Sequence, residues 1–192
     1  MIHQALAGAL FHPRRQLVRS LEEQPLAAVL TAYLLAGFSW VLSDFLIHGK
    51  SQALVALLGD FVLFLAVLSA GFAIGIVFLQ FFANLLGGET DLTALFWGVT
   101  QSTAPLVLLV PLALLAQPLG QWSGVVYLPG KLGVFLWILG CQVVAVSQAC
   151  GLSVARSTFV FFLAWGAAFI GFLVLSVLLP LAMLAKLSLV TG

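Results

Sequence analysis

Few side chains in this sequence could do chemistry, and their spacing suits none of the common catalytic constellations. Asp44 and His48 are four residues apart, close enough to meet on one helix face. An acid–base couple would also need a nucleophile and an orienting third group beside it, and neither is present; the spacing predicts a local hydrogen bond instead. His3 and His12 stand apart, with no ligand-like neighbour at helical spacing, so no metal site is expected. Cys141 and Cys150 lie nine apart in or beside an apolar run, not two or three apart as in a metal or redox pair, and read as small packing residues. The sequence holds no G-x-S-x-G, H-E-x-x-H or C-x-x-C. Gly87-Gly88 leads into Glu89 and Asp91, acids that would repel a phosphate. These observations argue against an enzyme and against a cofactor.

Neutral polarity remains. Gln80 and Asn84 share a face of one apolar run, Gln101, Ser102 and Thr103 sit in the next, and Gln142 and Ser147 in the one after. Facing inward, they would form a polar seam for a small solute; facing one another, they would be interhelical hydrogen bonds. Asp44 and Asp60 flank one loop and are expected at a membrane interface, where a charge costs little. No acid stands at mid-depth, although a central charge would cost about 2.5–3.5 kcal/mol on the insertion scale.

The elements that carry these residues are set by composition. Of 192 residues, 63% are hydrophobic and only 7% charged, with a mean hydropathy of +1.22. A soluble domain needs roughly a quarter of its residues charged, so most of this surface faces lipid. There is no basic patch for nucleic acid. The pattern predicts an all-α polytopic membrane protein: an amphipathic interfacial segment over residues 1–25, then a five-helix transmembrane domain over 26–192, with spans near 26–47, 61–86, 92–116, 131–148 and 158–184. Each is long enough for a hydrocarbon layer of about 30 Å, or nearly so. In the first segment Leu10, Phe11, Leu17, Val18 and Leu21 alternate with Arg14, Arg15 and Arg19, which fits either a helix at the membrane surface with its arginines near phosphate head groups or a solvated lead-in helix. Ala53–Leu58 is too short to span and belongs either to the interface or to the start of the next helix.

Punctuation is legible too. Gly87 and Gly88 should end the second helix, and Thr90 or Asp91 should cap the third. Pro105 and Pro111 should kink the third. The loop 117–130 carries Trp122 and Tyr127, types that settle at the head-group level. Arg14, Arg15 and Arg19 directly before the first span favour a cytoplasmic N-terminus and an external C-terminus. Gly71-x-x-x-Gly75 and Ala167-x-x-x-Gly171 place small residues on one face, where helix backbones could approach.

Phe11-His12-Pro13-Arg14-Arg15, five spans, Leu85-Leu86-Gly87-Gly88, Ser102-Thr103-Ala104-Pro105 and Gly151-Leu152-Ser153, in this order, resemble the Ypt-interacting protein (Yip) domain family. Gly87, Gly88, Pro105, Gly151 and Ser153 fall on its motif positions. The resemblance runs over nearly the whole chain and is to the short prokaryotic members, which implies a bacterial plasma membrane location. Eukaryotic members bind small GTPases and one another, but their cytoplasmic N-terminal regions are longer than 25 residues, so a GTPase partner is not carried over. The family implies no catalytic residues. Two functions follow as expectations: a scaffold or adaptor that binds other membrane proteins or itself, and a channel or facilitator using the polar seam.

Overall fold

At Gly87-Gly88, between two apolar runs, the chain turns. In the computed structural model, which describes residues 26–48 and 54–191 with side chains as far as Val174, Gly87 takes φ +79°. That left-handed geometry lets the Gly87 and Gly88 N–H groups donate to Asn84 O and Ala83 O at 3.1 and 2.9 Å, closing the helix before them. Asp91 then caps the next helix, its carboxylate accepting from Thr93 N at 2.8 Å. Both features are as the sequence predicts.

The helices are α1 (Leu26–His48), α2 (Leu54–Leu85), α3 (Leu92–Gln101), α4 (Leu109–Ala116), α5 (Ser123–Ala149) and α6 (Val154–Thr191). Two 3-10 turns, Ala104–Leu108 and Gln117–Trp122, join α3 to α4 and α4 to α5. There is no strand among the described residues. Among the described residues, four helical stretches are long and apolar enough to cross a membrane: Val29–His48, Val55–Leu85, Leu92–Ala149 and Val154–Val174. The third runs for 58 residues and reverses at Gly120, where φ +55° and ψ −121° break the helical path. Beyond that glycine α5 packs back along α3 and α4. The expected amphipathic helix with Arg14, Arg15 and Arg19 lies outside the described residues.

Three boundaries differ from the sequence expectation. Residues 54–58 are the opening turns of α2, so that helix begins at Leu54 instead of near Phe61. Loop 117–130 is largely helical, and α5 starts at Ser123 instead of Lys131. Pro129 sits inside α5, and the carbonyl its ring leaves without a partner belongs to Val125, in the exposed first turn. Tyr127 is accordingly a buried helix residue, 4% exposed. The last helix opens at Val154 and runs on through Pro180 to Thr191.

The break at Pro105 takes the form of a cut. α3 stops at Gln101, Pro105 opens a 3-10 turn, and Pro111 falls in the first turn of α4. Each proline thus occupies a position whose N–H would have had no helical partner. Ser102 and Thr103 supply their own bonds, their hydroxyls donating to Val99 O and Thr100 O at 2.5 and 2.7 Å.

α5 is the central element, lying against α3, α4 and α6. Its buried stripe, Val134, Ile138, Cys141, Gln142, Ala145, Val146 and Ala149, follows the helical period, while Leu132, Leu136 and Leu139 point outward. An apolar outside with small residues inside is the membrane pattern. α3 and α5 approach tightly at Gly98, where an added Cβ would stand 3.0 Å from the Cβ of Ala145. At one end of the bundle the two tight turns meet: a Cβ on Gly88 would reach Cys150 O at 3.0 Å, and Gly151 closes the second turn with φ +63°.

Gly98→Leu is expected to push α3 from α5 and lower unfolding stability in detergent by about 1–3 kcal/mol. Gly133→Leu, at an exposed position with open space around it, should leave it within about 0.5 kcal/mol. A denaturant titration followed by circular dichroism measures both.

Candidate functional site

The last two turns of α1 place Trp40, Ser43 and Asp44 on one face, at the i, i+3, i+4 spacing of a helix. The start of α5 answers with Tyr127 and Lys131, also one turn apart. The Lys131 ammonium donates to Asp44 Oδ1 at 2.8 Å and lies 3.9 Å from the centroid of the Trp40 ring, a cation–π contact. The Tyr127 hydroxyl shares its proton between Ser43 Oγ at 2.8 Å and Asp44 Oδ1 at 3.2 Å. Ser43 in turn donates to the Trp40 carbonyl at 2.8 Å. Trp40 is held by Phe64 of α2, stacked with centroids 5.4 Å apart, and by the edge of Phe135.

This cluster borders a cleft of about 490 Å³ between the ends of α1 and α2. Asp44, His48 and Asp60 are its polar wall, and Val41, Leu57, Leu63, Phe64 and Val67 line the rest. Lys131 and Asp44 are unequally covered, their side chains 17% and 37% exposed, with Asp44 the more open. His48 Nδ1 lies 2.9 Å from the backbone oxygen of Asp44. The pair is a helix-end hydrogen bond to a carbonyl, with no acid–base couple.

The polar seam divides. Gln101 and Gln142 are 6% and 5% exposed, and Ser102 and Thr103 are as deeply buried. Gly98 packs on Ala145, and Gly130 would place a Cβ against Leu112; this antiparallel register brings Gln101 level with Gln142. The Thr100 Oγ1 and Gln101 Oε1 atoms are buried without a hydrogen-bond partner. Asn84, by contrast, is exposed and accepts from Thr90 Oγ1 at 2.8 Å, bracing the turn after α2. Gln80 is half-buried on α2.

Small-residue faces also divide. Gly75 is buried, and a Cβ there would touch the Trp165 ring of α6 at 3.5 Å; Gly71 and Gly171 have open space around them. Ala167 is half-buried. Ser153 begins α6, its carbonyl accepting from Ser157 N at 2.9 Å and its hydroxyl from Arg156 N at 3.5 Å. Cys141 and Cys150 are buried free thiols.

The Lys131–Asp44 pair, with Tyr127 and Trp40 around it, is the feature the sequence expectation missed. Its signal was the polar spacing at 40, 43 and 44 against 127 and 131, but only the packing shows that the two faces meet. No family model, curated protein or solved structure matches this chain.

Lys131→Met leaves the Asp44 carboxylate without its cation and is expected to cost about 1–2 kcal/mol, discounted for the exposure of Asp44. Adding Asp44→Asn should restore part of that loss, and a double-mutant cycle of unfolding midpoints in detergent reads the coupling. Full additivity would mean that the ion pair contributes nothing.

Proposed function

We propose that the chain is a non-catalytic integral membrane protein of the Yip type, a scaffold that binds other membrane proteins or itself, with five crossings, a cytoplasmic N-terminus and an external C-terminus. One observation carries it: the polar groups suited to a passage are sealed inside, while long apolar faces of α2 and α6 are left uncovered. Val62, Leu63, Val67, Ile74, Val77 and Phe81 of α2 are each more than half exposed, as are Phe159, Phe162, Phe169 and Phe172 of α6. Apolar faces of this kind serve lipid and partner helices alike, since packing, not water exclusion, drives association in hydrocarbon.

The five-crossing count is favoured by length. A straight helix of 58 residues would run roughly 87 Å at 1.5 Å per residue, against about 30 Å of hydrocarbon. Its reversal at Gly120 divides it into two crossings. The orientation is supported by Arg14, Arg15, Arg19 and Arg156 on one side against Lys50, Lys131 and Lys186 on the other.

The geometry also selects which glycine to change. Gly75 touches Trp165 within the bundle, whereas Gly71 opens outward from α2. Gly71→Leu is expected to weaken self-association or partner capture several-fold in reconstituted vesicles, read by proximity labelling or energy transfer, with helical content unchanged. Unaltered association would remove the α2 face from the contact.

A second reading, a facilitator for a small neutral solute, is favoured by the unpartnered Thr100 Oγ1 and Gln101 Oε1 atoms. It requires the α3–α5 layer to open. Flux of small polar solutes into vesicles, reduced by Gln101→Leu, would support it; no flux above protein-free vesicles would dismiss it.

A further inference from the structure

Four consecutive polar residues at the end of α3, Thr100 to Thr103, are buried, and they divide in two. Ser102 and Thr103 commit their hydroxyls to the carbonyls of Val99 and Thr100. Thr100 Oγ1 and Gln101 Oε1 have no partner, and neither has the indole Nε1 of Trp97, although all three atoms are buried. Thr100 and Gln101 follow Trp97 by three and four residues, so both are its neighbours on one helix turn, with Cβ atoms about 5–6 Å away. Among the described residues, the other buried side-chain polar atoms without a partner are Ser157 Oγ and Trp165 Nε1, eight residues apart on α6. Three such groups within one turn are a feature of α3 alone.

Trp97 stands at the edge of this cluster. Its ring is half-buried, with its N–H turned inward and Phe96 edge-on at 5.4 Å. Thr100 and Gln101 lie deeper, 4% and 6% exposed. A buried indole N–H ordinarily has an acceptor, so this ring covers groups that share its need. The chemistry on offer is neutral. α3 has no charged residue, and Lys131, the one charge on α5, is eleven residues from Gln142 and bonded to Asp44. An occupant must accept from the indole, donate to the amide oxygen, and satisfy a hydroxyl that does either. One hydroxyl group meets the first two needs through a single oxygen, which suits partners a turn apart. A second hydroxyl beside it serves Thr100.

We propose that Trp97 covers a binding site for one small polyol, held by the Trp97 indole N–H, the Thr100 hydroxyl and the Gln101 amide oxygen. Outward rotation of the Trp97 ring admits the solute to the layer between α3 and α5. The inference rests on the facilitator reading for the way in, and gives that reading its solute class. Binding and passage are separate measurements, so each can fail without the other.

The probe is glycerol, titrated into the full-length protein in a neutral detergent after labelling with 5-fluorotryptophan. The Trp97 fluorine resonance is the one lost in Trp97→Phe. It should shift saturably at millimolar glycerol, and dimethyl sulfoxide, which accepts hydrogen bonds but cannot donate them, should cause no saturable shift. Thr100→Val should weaken glycerol binding about tenfold and Thr100→Ser should keep it within about twofold. Circular dichroism checks that each variant is folded, and Gln101→Leu, with the same expected loss, replaces Thr100→Val if that variant is not. No saturable shift at Trp97, an equal response to dimethyl sulfoxide, or unchanged affinity in the folded Thr100→Val or Gln101→Leu variant would each overturn the site. Glycerol uptake into reconstituted vesicles reads the passage. Binding without uptake supports the site and dismisses the facilitator, whereas uptake without binding at Trp97 overturns the site.

Discussion

Hydrocarbon offers no hydrogen bonds, so every backbone group released by a break in a helix must find a partner inside the protein. The stretch from Ser102 to Leu108 shows how this is met. The two prolines do not interrupt a running helix but open short helical pieces, where a missing N–H costs nothing. The hydroxyls of Ser102 and Thr103 turn back to carbonyls one turn earlier. That solution works only if the broken stretch is enclosed, and α1 and α5 enclose it. The central place of α5, the small residues on its inner face and the tight contact of Gly98 with Ala145 all follow from the need to keep α3 and α4 covered.

The second fixed point is the Asp44–Lys131 pair. In a chain with seven basic and six acidic residues, joining one of each across two helices concentrates charge where it can be neutralised. The pair is not isolated, since the Tyr127 hydroxyl also donates to Asp44 Oδ1 and is itself bonded to Ser43, and Trp40 faces the ammonium. A buried pair stabilises only when such further contacts offset its desolvation. Here the residual exposure of Asp44 lowers that penalty.

Much of the fold was legible in the sequence because the signals were local. Gly87 with its positive φ, Asp91 as a cap and the break at Pro105 each depend on a few consecutive residues, and each appears where expected. The helix ends at Leu54 and Ser123 were not legible. Gly124, Pro129 and Gly130 read as a loop, yet a proline whose orphaned carbonyl lies in the exposed first turn and a glycine packed against Leu112 are compatible with α5. Contacts between distant segments were the least accessible. Gly71-x-x-x-Gly75 has the right spacing for close packing, but spacing does not say which neighbour arrives, and a tryptophan ring meets only one of the two glycines. Lys131 looked like the lip of a span because its partner lies 87 residues away.

The two polar regions answer opposite physical demands. Between α3 and α5 the side chains of Gln101 and Gln142 are level and sealed, and an amide in such a layer is tolerated because it is neutral. Hydrogen bonds between such groups contribute only about 0.6 kcal/mol on average in a membrane protein, and Gln101 Oε1 has no partner among the described residues, so packing and not polar contact orders this layer. Between α1 and α2 the groups are charged, and charge cannot be left in a dry interior without a counter-ion. The protein supplies Lys131 to one acid and leaves the other at the cleft edge. Neutral polarity is thus enclosed between α3 and α5, and charge is gathered at the more open end of the α1–α2 pair, where Lys131 of α5 neutralises Asp44.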